Sequence, residues 1–220
     1  MIGFYDYTVV LTYLSLFSAV TGLYFCFTRH PVMASICLIL CALLDAFDGM
    51  VARTKKDRTE AECQFGIQID SLTDLIAFGV LPTMIGAVYV SGPLLPVYVA
   101  ISGLFVLAAL IRLAYFNVQE NDRQKVETGK RRHYNGLPVT SSGAIFPSVV
   151  MVSLLMKHGF PIFVYMGAMV LTGFAFLIRS LRIKKPSFRL VLVFCVLGAL
   201  GIAALVLLWF RRVSHGALFG

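Results

Sequence analysis

Apolar residues occupy most of the chain in long runs, and short polar or glycine- and proline-containing stretches separate these runs. Each run is long enough for a helix that crosses about 30 Å of hydrocarbon at 1.5 Å per residue. The pattern therefore predicts about seven transmembrane helices. These are Thr8–Thr28, Val32–Val51, Phe65–Val90, Leu95–Asn117, Leu137–Met156, Pro161–Ser180 and Arg189–Phe210.

Composition supports a membrane protein. Of 220 residues, 59% are hydrophobic and 14% charged, whereas soluble proteins are roughly half apolar. The longest polar stretch, Val118–Asn135, is too short for a separate domain. Met1–Tyr7 contains Asp6 and no basic residue, so the first span is expected to be a retained helix and not a signal peptide. We predict an all-α polytopic helical bundle, with residues 1–220 as a single membrane domain.

The basic residues are distributed unevenly. Of 19 Lys and Arg residues, fourteen lie in segments 53–58, 123–132 and 179–189, which seven spans place on one side. The other side has four, and Arg112 lies in the fourth span. This bias predicts a cytoplasmic N-terminus in a bacterial-type cytoplasmic membrane. It also explains the net charge of +8 without a nucleic-acid partner, and some of these residues could attract anionic lipid headgroups or phosphates.

Cysteine and histidine give no sign of a separate metal site. The five cysteines include no CxxC pair and lie mostly in the predicted spans, so we expect no disulfide framework. Cys37 and Cys41 share a helix face, which is typical of core packing. The four histidines show no metal-ligand spacing.

Four aspartates lie at the inner ends of the second and third spans, where an ionised side chain costs at least a few kcal/mol. Asp45 and Asp48 are three residues apart and Asp70 and Asp74 are four apart, so each pair shares one helix face. Two facing pairs would form a divalent-cation site, because carboxylate oxygens and substrate phosphates are the usual ligands of Mg²⁺. The nearby Gly49 and Gly66 leave room for a phosphate ester, and Arg53 would lie at the inner mouth.

These groups fit phosphoryl transfer, in which positioning and charge neutralisation supply most of the catalysis. Each has a simpler interpretation: an aspartate can bond across helices, a glycine can serve packing, and Arg53 can anchor a helix end. A divalent-metal transporter would also contain intramembrane carboxylates. It should have polar residues through the full membrane depth, whereas here they concentrate at the inner ends of two spans.

The pattern resembles the signature of the CDP-alcohol phosphatidyltransferases. Asp45-xx-Asp48-Gly49-xx-Ala52-Arg53, followed by Gly66-xxx-Asp70-xxx-Asp74, matches all eight fixed positions, although twelve residues separate Arg53 from Gly66 where the family commonly has eight or nine. The complete set argues against a catalytically dead scaffold. Three further stretches resemble the phosphatidylserine synthase branch: Phe78-Gly79-Val80 with Pro82, Arg112-Leu113-Ala114-x-Phe116-Asn117-Val118, and Gly136-Leu137-Pro138.

The resemblance implies a helical membrane fold with a polar cavity open to the cytoplasm, often in a homodimer. It implies transfer of a phosphatidyl group from CDP-diacylglycerol to L-serine, with two Mg²⁺ or Mn²⁺ ions as cofactors and Asp74 as general base. The implied metal ligands are Asp45, Asp48, Asp70 and Asp74. The implied CDP-lipid-binding residues are Asp48, Gly49, Ala52, Arg53, Gly66 and Asp70.

The acceptor is the least determined part of this prediction. Arg112 is the leading candidate for an acceptor contact, although it can also be a snorkelling anchor. The branch commonly has a second arginine three residues later, where this chain has Tyr115. Basic residues in Arg123–Arg132, or His133, could compensate. Inositol phosphate, glycerol phosphate and amino alcohols therefore stay open as alternative acceptors.

Overall fold

A computed structural model describes residues 3–5, 7–51, 55, 59–126, 133–135, 137–155, 161–178, 182–184 and 188–217. Nearly all of these residues are helical, and the helices form one bundle. The α-helices are α1 (Val10–Phe27), α2 (Pro31–Val51), α3 (Glu60–Asp74), α4 (Leu81–Ala87), α5 (Leu95–Val126), α6 (Ser142–Leu155), α7 (Ile162–Leu177) and α8 (Phe188–Ala217).

The third rod of the bundle is composed of three segments. Thr59 begins α3 with a capping box: its side chain accepts from the Glu62 backbone N–H, and the Glu62 carboxylate accepts from the Thr59 N–H. A π-helical segment, Leu75–Val80, follows α3 and leads directly into α4. The rod is therefore continuous, but its helical pitch changes immediately after Asp74.

Helices α1 and α2 form an antiparallel hairpin and pack along their lengths. The turn between them contains Arg29 at φ 59°. Gly22 lies at a close approach of three rods, because a Cβ there would come within 2.9 Å of Leu81 and 3.1 Å of Cys37. The α1–α2 hairpin thus packs against the third rod.

An aromatic cluster joins α5, α6 and α7. Phe105 of α5 contacts Phe146 of α6 at a ring-centroid distance of 5.4 Å and Phe176 of α7 at 5.7 Å. Phe146 also contacts Tyr165, at 5.1 Å. These rings are almost fully buried, so α5, α6 and α7 form one packed unit.

The prediction of a polytopic membrane helical bundle is confirmed. In the described part of the chain, four helical rods are long and apolar enough to cross a bilayer: Tyr7–Phe27, Pro31–Asp48, Glu60–Ala87 and Gly92–Asn121. Three shorter apolar helices, Val139–Leu155, Ile162–Leu177 and Val196–Arg211, coincide with the last three predicted spans. Large apolar side chains point outward from these rods, as lipid contact requires, among them Phe17, Phe163 and Phe174.

The sequence pattern did not predict a short β-ribbon. Strand β1 (His133–Asn135) pairs antiparallel with β2 (Arg182–Lys184). The ribbon joins the polar segment after α5 to the segment between α7 and α8.

Candidate active site

The four aspartates converge where the end of α2 meets the end of α3. One carboxylate oxygen from each of Asp45, Asp70 and Asp74 lies within 4.8 Å of the other two. Asp48 completes the group, since its carboxyl group interacts with that of Asp70. Asp48 and Asp74 are each 8% exposed. The structure therefore brings together all four carboxylates that the spacing selected.

Among the residues that the structure describes, these carboxylates have no cationic side chain as a partner. No Lys or Arg among the described residues forms an ion pair with any of the four aspartates, and the ion pair nearest in sequence joins Lys55 to Glu62 at 3.1 Å. Buried like charges repel strongly at this separation. A bound divalent cation would relieve the repulsion, and a set of four carboxylate donors suits Mg²⁺ or Mn²⁺.

Helix α1 supplies a site contact that sequence reasoning missed. The Thr12 hydroxyl donates to Oδ2 of Asp48 at 3.3 Å, and both side chains are buried. This bond directs one oxygen of Asp48 toward α1. A signal was present in the sequence, because the apolar rod Tyr7–Phe27 buries four hydroxyl side chains at helical spacing: Thr8, Thr12, Ser15 and Ser18.

Cys41 is a second residue that sequence reasoning placed only in the core. It lies one turn before Asp45 on α2 and is fully buried. Its thiol donates to the Ser15 carbonyl at 3.3 Å. The thiol thus links α1 to α2 by a hydrogen bond one helical turn before Asp45.

The rod beyond Asp74 is held by two buried tyrosines. The hydroxyl of Tyr165 donates to the Pro82 carbonyl at 2.7 Å, and that of Tyr98 donates to the Thr83 carbonyl. Both rings pack over Gly86, where a Cβ would come within 2.6 Å of Tyr165. The tyrosines therefore stabilise the part of the rod that follows the π-helical turn.

Arg112 is buried in the bundle and does not pair with the aspartates. Its side chain is 7% exposed, and Nε donates to the Leu137 carbonyl at 3.4 Å. Ser71 and Asn117 hold α3 against α5 through a 2.7 Å hydrogen bond. Asp74 is three residues beyond Ser71, and Arg112 five residues before Asn117. The two rods are antiparallel, so both of these steps lead in the same direction along the bundle. Asp74 and Arg112 therefore lie about 3 Å apart along the bundle axis.

The structure describes two of the four remaining predicted site residues. Gly49 follows Asp48 within α2, and Gly66 lies in α3, one turn before Asp70. Ala52 and Arg53 lie outside the described residues.

Comparison with known proteins identifies this arrangement of carboxylates. Residues 8–178 match the family model for CDP-alcohol phosphatidyltransferase. The chain belongs to this family. It is therefore an enzyme of the CDP-alcohol phosphatidyltransferase kind, and the matched region contains all four aspartates and α1 through α7.

Curated relatives of this phosphatidyltransferase include two named CDP-diacylglycerol–serine O-phosphatidyltransferase. One, from Helicobacter pylori, is 29% identical over 191 residues, covering 84% of this chain and 73% of the relative. The other, from Saccharomyces cerevisiae, is 34% identical over 145 residues, covering 64% of this chain and 50% of the relative. An archaetidylserine synthase from Methanothermobacter thermautotrophicus is 35% identical over 107 residues, covering 48% of this chain and 41% of the relative. The chain thus spans about three quarters of the first relative and half or less of the others.

Proposed function

We propose that this enzyme transfers the phosphatidyl group of CDP-diacylglycerol to the hydroxyl of L-serine, giving phosphatidylserine and CMP. The supporting observation is the cluster of four carboxylates where the end of α2 meets the end of α3, with no cationic partner among the residues that the structure describes. The relatives support serine in particular. Their names specify different lipids, phosphatidyl and archaetidyl, but the same acceptor.

The four aspartates would hold two divalent ions, Mg²⁺ or Mn²⁺. Asp45, Asp70 and Asp74 already present one oxygen each toward a common point, and Asp48 and Asp70 interact beside it. The bound ions would neutralise the pyrophosphate of the CDP-lipid and the charge that develops on CMP.

Asp74 would act as general base. It would take the proton from the serine hydroxyl, whose oxygen then bonds to the phosphorus that carries diacylglycerol. The bond from that phosphorus to the bridging oxygen breaks, and CMP leaves with that oxygen. A base must lie within hydrogen-bond reach of the acceptor hydroxyl, and Asp74 lies at the junction with the π-helical turn, where the rod widens.

The remaining residues would bind the two substrates. Asp48, Gly49, Ala52, Arg53, Gly66 and Asp70 form the proposed CDP-lipid-binding set. Arg112 would contact the serine carboxylate, because it is a buried cation at nearly the depth of Asp74. Its Nε donates to the Leu137 carbonyl, and the planar guanidinium is suited to binding a carboxylate.

Assembly and orientation are also proposals. We expect residues 1–220 to form one domain, because α8 packs against α2 and α6 although the family match ends at 178. The positive-inside bias favours a cytoplasmic N-terminus and a cytoplasm-facing active site.

A homodimer is expected from the resemblance. Cross-linking of a Leu72→Cys variant tests one surface for it, since Leu72 is 63% exposed beside a groove of about 420 Å³ between α3 and α5.

A direct assay tests the proposed reaction. Purified protein receives CDP-diacylglycerol, Mn²⁺ or Mg²⁺, and one acceptor from a panel of serine, inositol phosphate, glycerol phosphate and ethanolamine, with CMP release as the readout. We expect release with serine. Release only with another acceptor would overturn the serine assignment, and no release with any acceptor would overturn the proposed reaction.

A further inference from the structure

The first turn of α6 packs against both rods that carry the aspartates. A 3-10 turn, Val139–Ser141, leads directly into α6. A Cβ at Gly143 would come within 2.5 Å of Ala42 on α2 and within 3.3 Å of Phe78 in the π-helical segment. The glycine therefore lets the beginning of this helix lie directly against α2 and the third rod.

Helix α6 runs antiparallel to α5. Phe105 of α5 contacts Phe146 of α6, whereas Arg112, further along α5, donates to the carbonyl of Leu137, which precedes α6. This register places Ser142 within about one helical turn of Arg112. The third rod is also antiparallel to α5, so α6 and the third rod run in the same direction.

The N-terminus of this helix lies at about the depth of the aspartates. Ala42 and Phe78, which the first turn of α6 approaches, lie three residues before Asp45 and four residues after Asp74. Both carboxylates are therefore about one helical turn from this contact. Because α6 runs in the same direction as the third rod, residues 139–142 come before the contact as Asp74 comes before Phe78. They approach the level of both carboxylates.

This end of the helix presents hydrogen-bond donors. The first N–H groups of a helix have no acceptor within it, and Pro138, at the N-cap position, provides no side-chain cap. Ser142 is fully buried, and its Oγ has no hydrogen-bond partner among the described residues. Since Cα–Cβ bonds tilt toward the N-terminus of a helix, this hydroxyl is directed to the same end. Thr140 and Ser141 are only half-buried, so packing does not close off the helix end.

These groups together favour an anionic ligand. The N-terminus of a helix attracts negative charge, and Arg112 adds a buried cation within about one turn of Ser142. We propose that the Ser142 hydroxyl and the first N–H groups of α6 bind, with Arg112, the carboxylate of the acceptor, and that Ser142 thereby determines acceptor choice. This inference rests on the proposed transfer to L-serine. A carboxylate held here leaves the serine hydroxyl, a short side chain away, close to the proposed base Asp74.

Acceptor kinetics test the role of Ser142. The full chain, as wild type or Ser142→Ala, receives CDP-diacylglycerol and Mn²⁺ with L-serine or with L-serinamide, which has a neutral amide in place of the carboxylate. CMP release gives kcat and the KM of each substrate. The affinity for serinamide is its KM if it is an acceptor and its inhibition constant against serine if it is not.

The loss should be confined to the acceptor that carries a carboxylate. Hydrogen bonds to charged groups are stronger than those between neutral groups, so we expect Ser142→Ala to raise the KM for serine about 10- to 100-fold. We expect kcat at saturating serine, the KM for CDP-diacylglycerol and the affinity for serinamide to stay at their wild-type values.

Ser153→Ala is the matched control. It also removes a buried hydroxyl from α6, but this hydroxyl donates to the Val150 carbonyl of its own helix. The KM for serine should be unchanged in this variant. An equal rise in both variants would overturn the role of Ser142.

The remaining outcomes separate the sources of the anion. A rise in the KM for CDP-diacylglycerol, with an unchanged KM for serine, would show that a phosphate of the CDP-lipid binds here and would overturn the carboxylate assignment. Equal losses of affinity for serine and serinamide in Ser142→Ala would indicate a structural role and overturn it too, as would wild-type kinetics. Those results leave serine as the acceptor, whereas wild type that releases no CMP with serine would overturn both this inference and the proposed function.

Discussion

Asp74 differs from the other three aspartates in its position. It ends α3 and precedes the π-helical turn, whereas Asp70 lies one turn earlier and the other two lie on α2. We predict that Asp74→Asn lowers CMP release at least about a hundredfold, the usual effect of losing a general base, while CDP-diacylglycerol binding is largely kept. CMP release and binding of the CDP-lipid are measured on the same preparation.

Asp122→Asn is the matched control, because this aspartate lies outside the cluster in the sequence. It should retain full CMP release. Wild-type turnover in Asp74→Asn would remove this residue from the role of base and leave it at most a metal ligand.

Thr12 is proposed to position Asp48. Thr12→Val keeps the shape of the side chain but removes the hydroxyl that donates to Oδ2 at 3.3 Å. Residues that orient a metal ligand typically contribute 10- to 100-fold to metal affinity. We predict that the Mn²⁺ concentration for half-maximal CMP release rises by about that factor, with little change at saturating metal.

Thr12→Ser should restore the metal dependence, since serine keeps the hydroxyl. Thr21→Val is a control on the same helix, because the exposed Thr21 hydroxyl donates to the Phe17 carbonyl of its own helix. A metal dependence in Thr12→Val equal to that of wild type would contradict the positioning role.

At the scale of elements, the rod after Asp74 depends on hydrogen bonds from other helices. Tyr165→Phe removes the hydroxyl that donates to the Pro82 carbonyl at 2.7 Å and with it a buried hydrogen bond between α7 and α4. Such a loss costs about 1 kcal/mol. We predict a lower midpoint of thermal unfolding in detergent for Tyr165→Phe. Tyr24→Phe, at a 63% exposed position, should leave the midpoint unchanged, and equal midpoints for the two variants would refute the role assigned to Tyr165.

Most helix positions could be predicted because a membrane span needs about 20 apolar residues. The third rod is an exception. It begins at Glu60 and not at the predicted Phe65, because the Thr59 capping box starts the helix within a polar stretch. The π-helical segment was not predicted either. It changes hydrogen bonding along the backbone, which leaves no mark on the apolar pattern.

At the scale of the whole molecule, the metal should contribute to stability as well as to turnover. Four close carboxylates repel one another when no cation is bound. We predict that EDTA abolishes CMP release and lowers the unfolding midpoint, and that Mn²⁺ or Mg²⁺ restores both. A ligand at 100 times its Kd stabilises the folded state by about 2.7 kcal/mol.

Asp45→Asn tests whether repulsion among the carboxylates causes the lower stability without metal. It removes one charge from the cluster, so its midpoint in EDTA should exceed that of wild type although the variant is inactive. Its midpoint should also respond less to Mn²⁺. A wild-type midpoint that is insensitive to EDTA would contradict a metal bound by these carboxylates.

The sequence by itself determined the helical membrane architecture and the choice of the four aspartates. Apolar run length and the i, i+3 and i, i+4 spacings are local properties, so Asp45, Asp48, Asp70 and Asp74 could be selected before any contact was known. Only the tertiary structure decided that Thr12 of α1 contacts Asp48, that Arg112 bonds to Leu137 and forms no pair with the aspartates, and that His133 and Lys184 become neighbours. These contacts join residues 25 to 51 positions apart, and helix packing, which no local pattern encodes, sets which of them meet.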